Sequence, residues 1–120
     1  MEERWKDIDG YSGYYQISNR GRIKSLERTI IRKDGLFHRR KERILTNVVN
    51  QKTGYLQVML ICHKRYKLFY VHRLVAQAFN PNPNGYKLVT HRNGDLNDNR
   101  AENLVWCSRS SNENKRNGIL

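Results

Sequence analysis

The most informative part of the sequence is residues 88–112, LVTHRNGDLNDNRAENLVWCSRSSN. A short apolar run ends at His91 and is followed by a polar loop rich in Asn, Asp and Gly. Asn103 introduces a second apolar run, and a segment rich in Ser and Asn that contains Asn112 comes next. Short apolar runs around a turn-forming loop indicate paired strands, and Ser and Asn are typical of a helix start. This stretch therefore predicts a strand–loop–strand unit followed by a helix near residues 110–117.

The composition restricts the class of protein. The chain has 120 residues, 38% of them hydrophobic, which suits one modest core. It contains no run of about 18 apolar residues and no secretory signal pattern, so we expect a cytoplasmic protein without a membrane partner. Cys62 and Cys107 lack the spacing of metal ligands and are expected to be buried, reduced thiols.

The strongest bulk property is the positive charge, a formal net charge of +12. Lys and Arg are dense between residues 20 and 43, and no acidic residue occurs between residues 46 and 80. Positive charge at this density, on segments that also have strand patterns, indicates a phosphate-binding surface. The alternatives are a solvated basic face and a site for anionic lipid. We expect nucleic acid as the partner and no small-molecule substrate.

Turn signals divide the first third of the chain. Residues 14–18 and 22–26 alternate apolar with polar side chains around Asn19-Arg20-Gly21, which predicts a hairpin. Between residues 29 and 40, Lys33-Asp34-Gly35 predicts a second, strongly basic hairpin. Such a ribbon could enter a major groove or clamp phosphates without reading sequence.

The middle of the chain predicts a hairpin and a helix. Residues 54–63 and 66–72 are rich in β-branched, aromatic and aliphatic side chains, as expected for a central hairpin. Apolar residues then recur at helical spacing over residues 71–79, and Pro81 ends the helix. His72 is interpreted as a structural histidine that bonds a backbone group, in preference to a catalytic one.

The N-terminal segment WKDIDGYSGYYQISNRGRIKSL, residues 5–26, is rich in Gly and Tyr. It resembles a short module found beside HNH nucleases, with a pattern close to W-x-x-I-x-G-Y-x-G-Y-Y-x-V-S-N-x-G-R-V-x-S-L. The matching positions are Trp5, Ile8, Gly10, Tyr11, Gly13, Tyr14, Tyr15, Ser18, Asn19, Gly21, Arg22, Ser25 and Leu26. The resemblance implies a DNA-binding module.

The later motifs occur in a fixed order: VHRLVAQAF, VTHRNGD over residues 89–95, then Asn99, Asn103, Leu104, Trp106 and Asn112. They resemble the pattern of the HNH endonucleases of phages and mobile introns. The resemblance implies an α+β fold, in which a small basic antiparallel β-module over residues 1–45 precedes a ββα-metal core over residues 46–120. It also implies a homing-type, metal-dependent DNA endonuclease.

The residue types fit phosphodiester hydrolysis. Neutral imidazole can take a proton from water near pH 7, so His91 is the candidate general base. By resemblance to the family, Asn103 ties the loop so that His91 points at the phosphate. Asn112 and Thr90 are the predicted metal-side residues for one Mg²⁺, with Mn²⁺ as a substitute, which would stabilise the leaving group.

Thr90 departs from the family pattern, which has Asp or Asn before the histidine. A hydroxyl is an uncharged and poorer ligand, so we expect the free protein to bind Mg²⁺ weakly. The departure also favours an alternative, a DNA-binding protein with a decayed, inactive site. An RNA-binding protein is a third interpretation, for which the sequence contains no recognised motif.

The expected partner is double-stranded DNA, and the protein is expected to be a monomer or a weak dimer. One site per chain implies a single-strand nick by a monomer, whereas a double-strand break would need a dimer or two events. The basic residues predicted to contact DNA are Arg20, Arg22, Lys24, Arg39, Arg40, Arg43, Lys64, Arg65, Arg92, Lys115 and Arg116.

Overall fold

The computed structural model describes residues 2–108, which form eleven short strands and one α-helix. The strands are β1 (Trp5–Asp7), β2 (Tyr15–Ser18), β3 (Ile23–Ser25), β4 (Arg28–Ile31), β5 (Phe37–Arg40), β6 (Arg43–Ile44), β7 (Val48–Val49), β8 (Leu56–Cys62), β9 (Arg65–Tyr70), β10 (Leu88–His91) and β11 (Leu104–Cys107). The helix is α1 (Val71–Phe79), and a 3₁₀ turn covers Ala101–Asn103. The fold is α+β, as predicted. The helix predicted near residues 110–117 lies outside the described residues.

A four-stranded antiparallel sheet in the order β1-β2-β3-β6 organises the first part of the chain. Alternation along β2 and β3 turns Tyr15, Ile17 and Ile23 into the core. The predicted turn between these strands is present, with Gly21 at φ +88°, a left-handed conformation that favours glycine. Asn19 in the same turn is also buried.

The basic hairpin predicted around Asp34-Gly35 is formed by β4 and β5. Its turn is closed by the Arg32 N–H, which donates to the Leu36 carbonyl over 2.7 Å, and by the Leu36 N–H, which donates to Asp34 Oδ1 over 3.0 Å. All side chains from residue 31 to residue 44 are exposed. The outer part of the hairpin therefore projects from the core.

The central hairpin and the helix are also confirmed. β7, β8 and β9 form an antiparallel sheet, and the β8–β9 turn uses His63 and Lys64 at φ 51° and 64°. α1 follows β9 directly and buries Val71, Val75 and neighbouring residues. The helix ends at Phe79, and its C-cap residue Asn80 immediately precedes the proline that was predicted to stop it.

The N-terminal sheet and the later elements share one hydrophobic core. The Tyr15 hydroxyl donates to the Ile61 carbonyl over 3.2 Å and accepts from the Ile61 N–H over 3.1 Å. Ile23, Leu60 and Val75 belong to the same buried cluster. The module boundary between residues 45 and 46 stays a prediction, since core packing extends across it.

The predictions drawn from composition have mixed outcomes. Cys107 is buried, as expected, whereas Cys62 is only half-buried, because it ends β8 beside an exposed turn. Within residues 2–108, no helix is long and apolar enough to cross a membrane.

Candidate active site

The candidate site is built on the hairpin of β10 and β11. The strands pair antiparallel from Leu88 opposite Cys107 to His91 opposite Leu104. Val89 and Leu104 are buried in the core, which fixes the register of the hairpin. His91 is the last residue of β10 and is only 4% exposed. The imidazole therefore lies where the strand meets the polar loop.

One nitrogen of His91 has a side-chain partner. Nε2 lies 2.7 Å from Oδ1 of Asn99, which is itself 4% exposed. An amide oxygen only accepts hydrogen bonds, so Nε2 carries the proton and donates. The neutral ring then has its free lone pair on Nδ1, the form that a general base requires. The holding residue is Asn99, a position that the sequence pattern included without assigning it a role.

Asn103 braces the loop that follows His91. Its Oδ1 accepts from the Asn93 N–H over 3.2 Å, and its Nδ2 donates to Asn93 Oδ1 over 3.0 Å and to the Asp98 carbonyl over 2.8 Å. The Asn103 carbonyl also accepts from the Arg92 N–H over 2.7 Å. The Asn103 side chain thus connects both ends of the loop. None of its hydrogen bonds within residues 2–108 reaches the His91 ring.

Charged side chains stiffen the second half of the loop. Arg100 Nε and Nη2 each donate to an Asp98 carboxylate oxygen over 2.8 Å. The Arg100 bond lowers the pKa of Asp98 to about 2, and a hydrogen bond from Asn93 contributes. Asp95 accepts from the Asn97 N–H over 3.0 Å. Asp95 and Asp98 therefore serve turn geometry, as their loop position suggests.

Aromatic rings pack around the histidine. The Tyr55 ring centroid lies 4.6 Å from that of His72 and 5.9 Å from that of His91, and the two imidazoles are 5.2 Å apart. Burial lowers the pKa of His72 to about 4, with contributions from His91 and Arg73, so this ring is neutral at pH 7. The backbone bond predicted for His72 is not made by Nδ1, which is buried and has no partner among the described residues.

Thr90 precedes His91 on β10, half-buried and opposite Val105. Adjacent strand residues point to opposite faces, so the Thr90 hydroxyl and the His91 ring leave the strand on different sides. Within residues 2–108, no three His, Cys, Asp or Glu side chains are placed to hold a metal ion. Asn112, the other predicted metal-side residue, lies outside the described residues. Oxygen donors suit Mg²⁺.

The residues predicted to contact DNA lie on several elements. Three are paired with acidic side chains: Arg22 with Glu3, Lys24 with Glu42 and Arg39 with Glu27. Six others are exposed, namely Arg20, Arg40, Arg43, Lys64, Arg65 and Arg92. Lys115 and Arg116 lie outside the described residues. The exposed set extends from the β2–β3 turn and the basic hairpin to the loop after His91.

The sequence matches two family models and several known proteins. Residues 3–61 match the NUMOD4 motif and residues 69–114 match an HNH endonuclease family model. DNA endonuclease I-HmuI of Bacillus phage SP01 is 34% identical over 108 residues, covering 90% of this chain and 54% of that protein. The uncharacterized HNH endonuclease L247 of Acanthamoeba polyphaga mimivirus is 36% identical over 118 residues, covering 92% of this chain and 25% of that protein.

A solved structure is also similar to this chain. The structure described as DNA binding and cleavage by the HNH homing endonuclease I-HmuI superposes with a TM-score of 0.75 at 34% identity, covering 98% of this chain and 60% of that chain. Both α1 and the hairpin that carries His91 lie within residues 69–114, the range that matches the HNH endonuclease family model. The chain therefore contains a NUMOD4 motif followed by an HNH endonuclease region, and it is homologous to I-HmuI. It spans about half the length of I-HmuI and a quarter of L247.

Proposed function

We propose that the chain is a metal-dependent DNA endonuclease that hydrolyses phosphodiester bonds with His91 as general base. The observation that carries the proposal is the 2.7 Å contact between His91 Nε2 and Asn99 Oδ1, which leaves Nδ1 as the basic nitrogen. A held imidazole with a free lone pair can take the proton from an attacking water. The similarity of the chain to I-HmuI in sequence and in structure supports the same class of reaction.

The supporting residues act on the position of His91. Asn99 holds the tautomer and the direction of the ring, while Asn103 braces the loop and so keeps Asn99 and His91 in register. Tyr55 and the neutral His72 pack beside the ring and restrict its movement. Neutral His72 adds no positive charge that would oppose protonation of His91 during the reaction.

Thr90 and Asn112 would hold one Mg²⁺ or Mn²⁺ ion, both through neutral oxygens that suit these hard cations. When bound, such an ion supplies positive charge that stabilises the leaving oxygen. Because neither residue is anionic, we propose that DNA phosphates provide most of the ligation. The free protein should then bind Mg²⁺ very weakly.

Double-stranded DNA is the proposed substrate. The net charge of +12 and the exposed arginines and lysines of the basic hairpin, the β8–β9 turn and Arg92 support phosphate contacts. I-HmuI is described as a DNA endonuclease and its solved structure concerns DNA binding. With one His91 in each chain, we propose that a monomer nicks one strand.

The test is cleavage of supercoiled plasmid with Mg²⁺ or Mn²⁺. Wild type should produce open circles before linear molecules, and His91→Ala or EDTA should abolish both products. The second candidate, a DNA-binding protein with an inactive site, is favoured by Thr90. It would be supported if wild type retards DNA in a gel but cuts nothing with either metal.

A further inference from the structure

The turn between β2 and β3, residues 18–22, contains two buried polar side chains, Ser18 and Asn19. Ser18 is fully buried, and its Oγ accepts from the Arg20 and Arg22 N–H groups over 3.1 and 3.2 Å. Asn19 is 2% exposed, and its Oδ1 accepts from the Arg4 N–H over 2.8 Å. Buried polar groups that have lost water gain from fixed partners, so these bonds give the β2–β3 turn a defined position.

This turn packs directly on the segment that holds His91. The Ala101 N–H donates to the Asn19 carbonyl over 2.8 Å. A Cβ added at Gly21 would lie 3.0 Å from Asn99 Cβ and 3.2 Å from the Asn99 carbonyl oxygen. Only glycine therefore lets the turn backbone approach Asn99 this closely. Asn99 in turn lies 2.7 Å from His91.

The same segment is also held by Asn80, at the end of α1. Asn80 Nδ2 donates to the Ala101 carbonyl over 3.0 Å and to the Leu104 carbonyl over 2.9 Å. Residues 99–104 are thus hydrogen-bonded both to the helix end and to the β2–β3 turn. A displacement at the turn cannot be absorbed freely and is passed to Asn99.

We propose that Gly21 and Asn19 are positioning residues for catalysis: the β2–β3 turn fixes Asn99, and Asn99 fixes the tautomer and aim of His91. This inference rests on the proposed role of His91 as general base. The NUMOD4 half of the chain is then part of the catalytic unit as well as a candidate DNA-binding surface. A turn with only a structural role would affect stability but leave the His91 tautomer of the folded protein unchanged.

The experiment compares Gly21→Ala with the matched control Gly13→Ala. Both glycines have left-handed backbones, at φ +88° and +84°, so both variants introduce similar backbone strain. A Cβ at Gly13 meets nothing within 4 Å, whereas one at Gly21 presses on Asn99. Single-turnover nicking should be slowed about tenfold or more by Gly21→Ala, with DNA affinity within about twofold of wild type. Gly13→Ala should cut at the wild-type rate.

A second variant removes the other link. Ala101→Pro deletes the N–H that donates to Asn19 but keeps the carbonyl bonded by Asn80, and proline is tolerated at the start of such a turn. It should also slow nicking without weakening DNA binding. If Gly21→Ala does not fold, Ala101→Pro tests by itself whether the β2–β3 turn positions His91.

The readout that separates positioning from stability is the tautomer of His91. Long-range ¹H–¹⁵N NMR of labelled histidine should show an Nε2–H ring in wild type and in Gly13→Ala. In Gly21→Ala and Ala101→Pro, the Nδ1–H form should become populated. Wild-type tautomer and rate in folded Gly21→Ala and Ala101→Pro would overturn the proposal. If wild type cleaves no DNA, the proposed function fails, yet the tautomer comparison still tests the link from the turn to His91.

Discussion

Replacing Asn103 by alanine tests whether the loop after His91 is braced as the structure indicates. The side chain makes three hydrogen bonds, of 3.2, 3.0 and 2.8 Å, to Asn93 and to the Asp98 carbonyl. At about 1 kcal/mol each, their loss would cost about 3 kcal/mol. Asn93 is exposed, so water can replace part of two bonds, and we expect a loss of about 2 kcal/mol in the free energy of unfolding.

Urea unfolding followed by tryptophan fluorescence measures this loss, and single-turnover nicking measures its consequence for the reaction. A protein of this size retains a folded majority after such a change. We expect nicking by Asn103→Ala to fall about 10- to 100-fold, because the loop no longer fixes His91 and Asn99. Asn97→Ala, an exposed position in the same loop, is the control and should change neither quantity. If Asn103→Ala unfolds like wild type, Asn103 does not brace the loop.

Three further predictions concern the metal, the charge and the pH. Thr90→Asp adds an anionic ligand and should lower the Mg²⁺ concentration needed for half-maximal nicking; an unchanged requirement would argue against Thr90 as a metal-side residue. Replacing Lys64 and Arg65 together by glutamine should reduce the slope of log affinity against log salt by about 2, and an unaltered slope would remove the β8–β9 turn from the DNA interface. Because the pKa of Asp98 is lowered in the folded state, its stabilising contribution is present above about pH 4 and is lost as pH falls toward 2. Acid unfolding of wild type in this range should therefore be steeper than that of Asp98→Asn; equal slopes would contradict the Asp98 interaction.

The elements that could be predicted from sequence are those specified by neighbouring residues. The basic hairpin follows from Asp34-Gly35, and α1 follows from the spacing of Val71, Leu74 and Val75 with a proline beyond its end. The strands of the site are short apolar runs on each side of a polar loop. In each case the pattern lies within about a dozen residues, so no knowledge of distant contacts is needed.

The parts that could not be predicted depend on contacts between distant segments. β6 joins the first sheet by pairing with β3 across the whole basic hairpin, and its two exposed residues have no strand pattern of their own. In the sequence, Asn99 and Asn19 resemble ordinary turn residues, and only the folded structure shows that both are buried. The N-x-x-x-N pattern that contains Asn99 and Asn103 was the available signal, but it does not show which amide faces the imidazole.

The buried polar residues explain how the β2–β3 turn and the hairpin that carries His91 are held in fixed positions. Asn19, His91, Asn99 and Asn103 are each at most 5% exposed, in a chain with a modest apolar core. An unpartnered buried amide costs about 1–3 kcal/mol, so each of these side chains constrains the segments that satisfy it. The satisfying groups for the Asn19 side chain come from residues 2–4, and those for the other three side chains come from His91 and from the loop between β10 and β11. The Ala101 N–H, which donates to the Asn19 carbonyl, joins these two sets. Polar burial at these positions therefore fixes the direction of the His91 ring in the free protein, which is the preorganisation that the proposed general base needs.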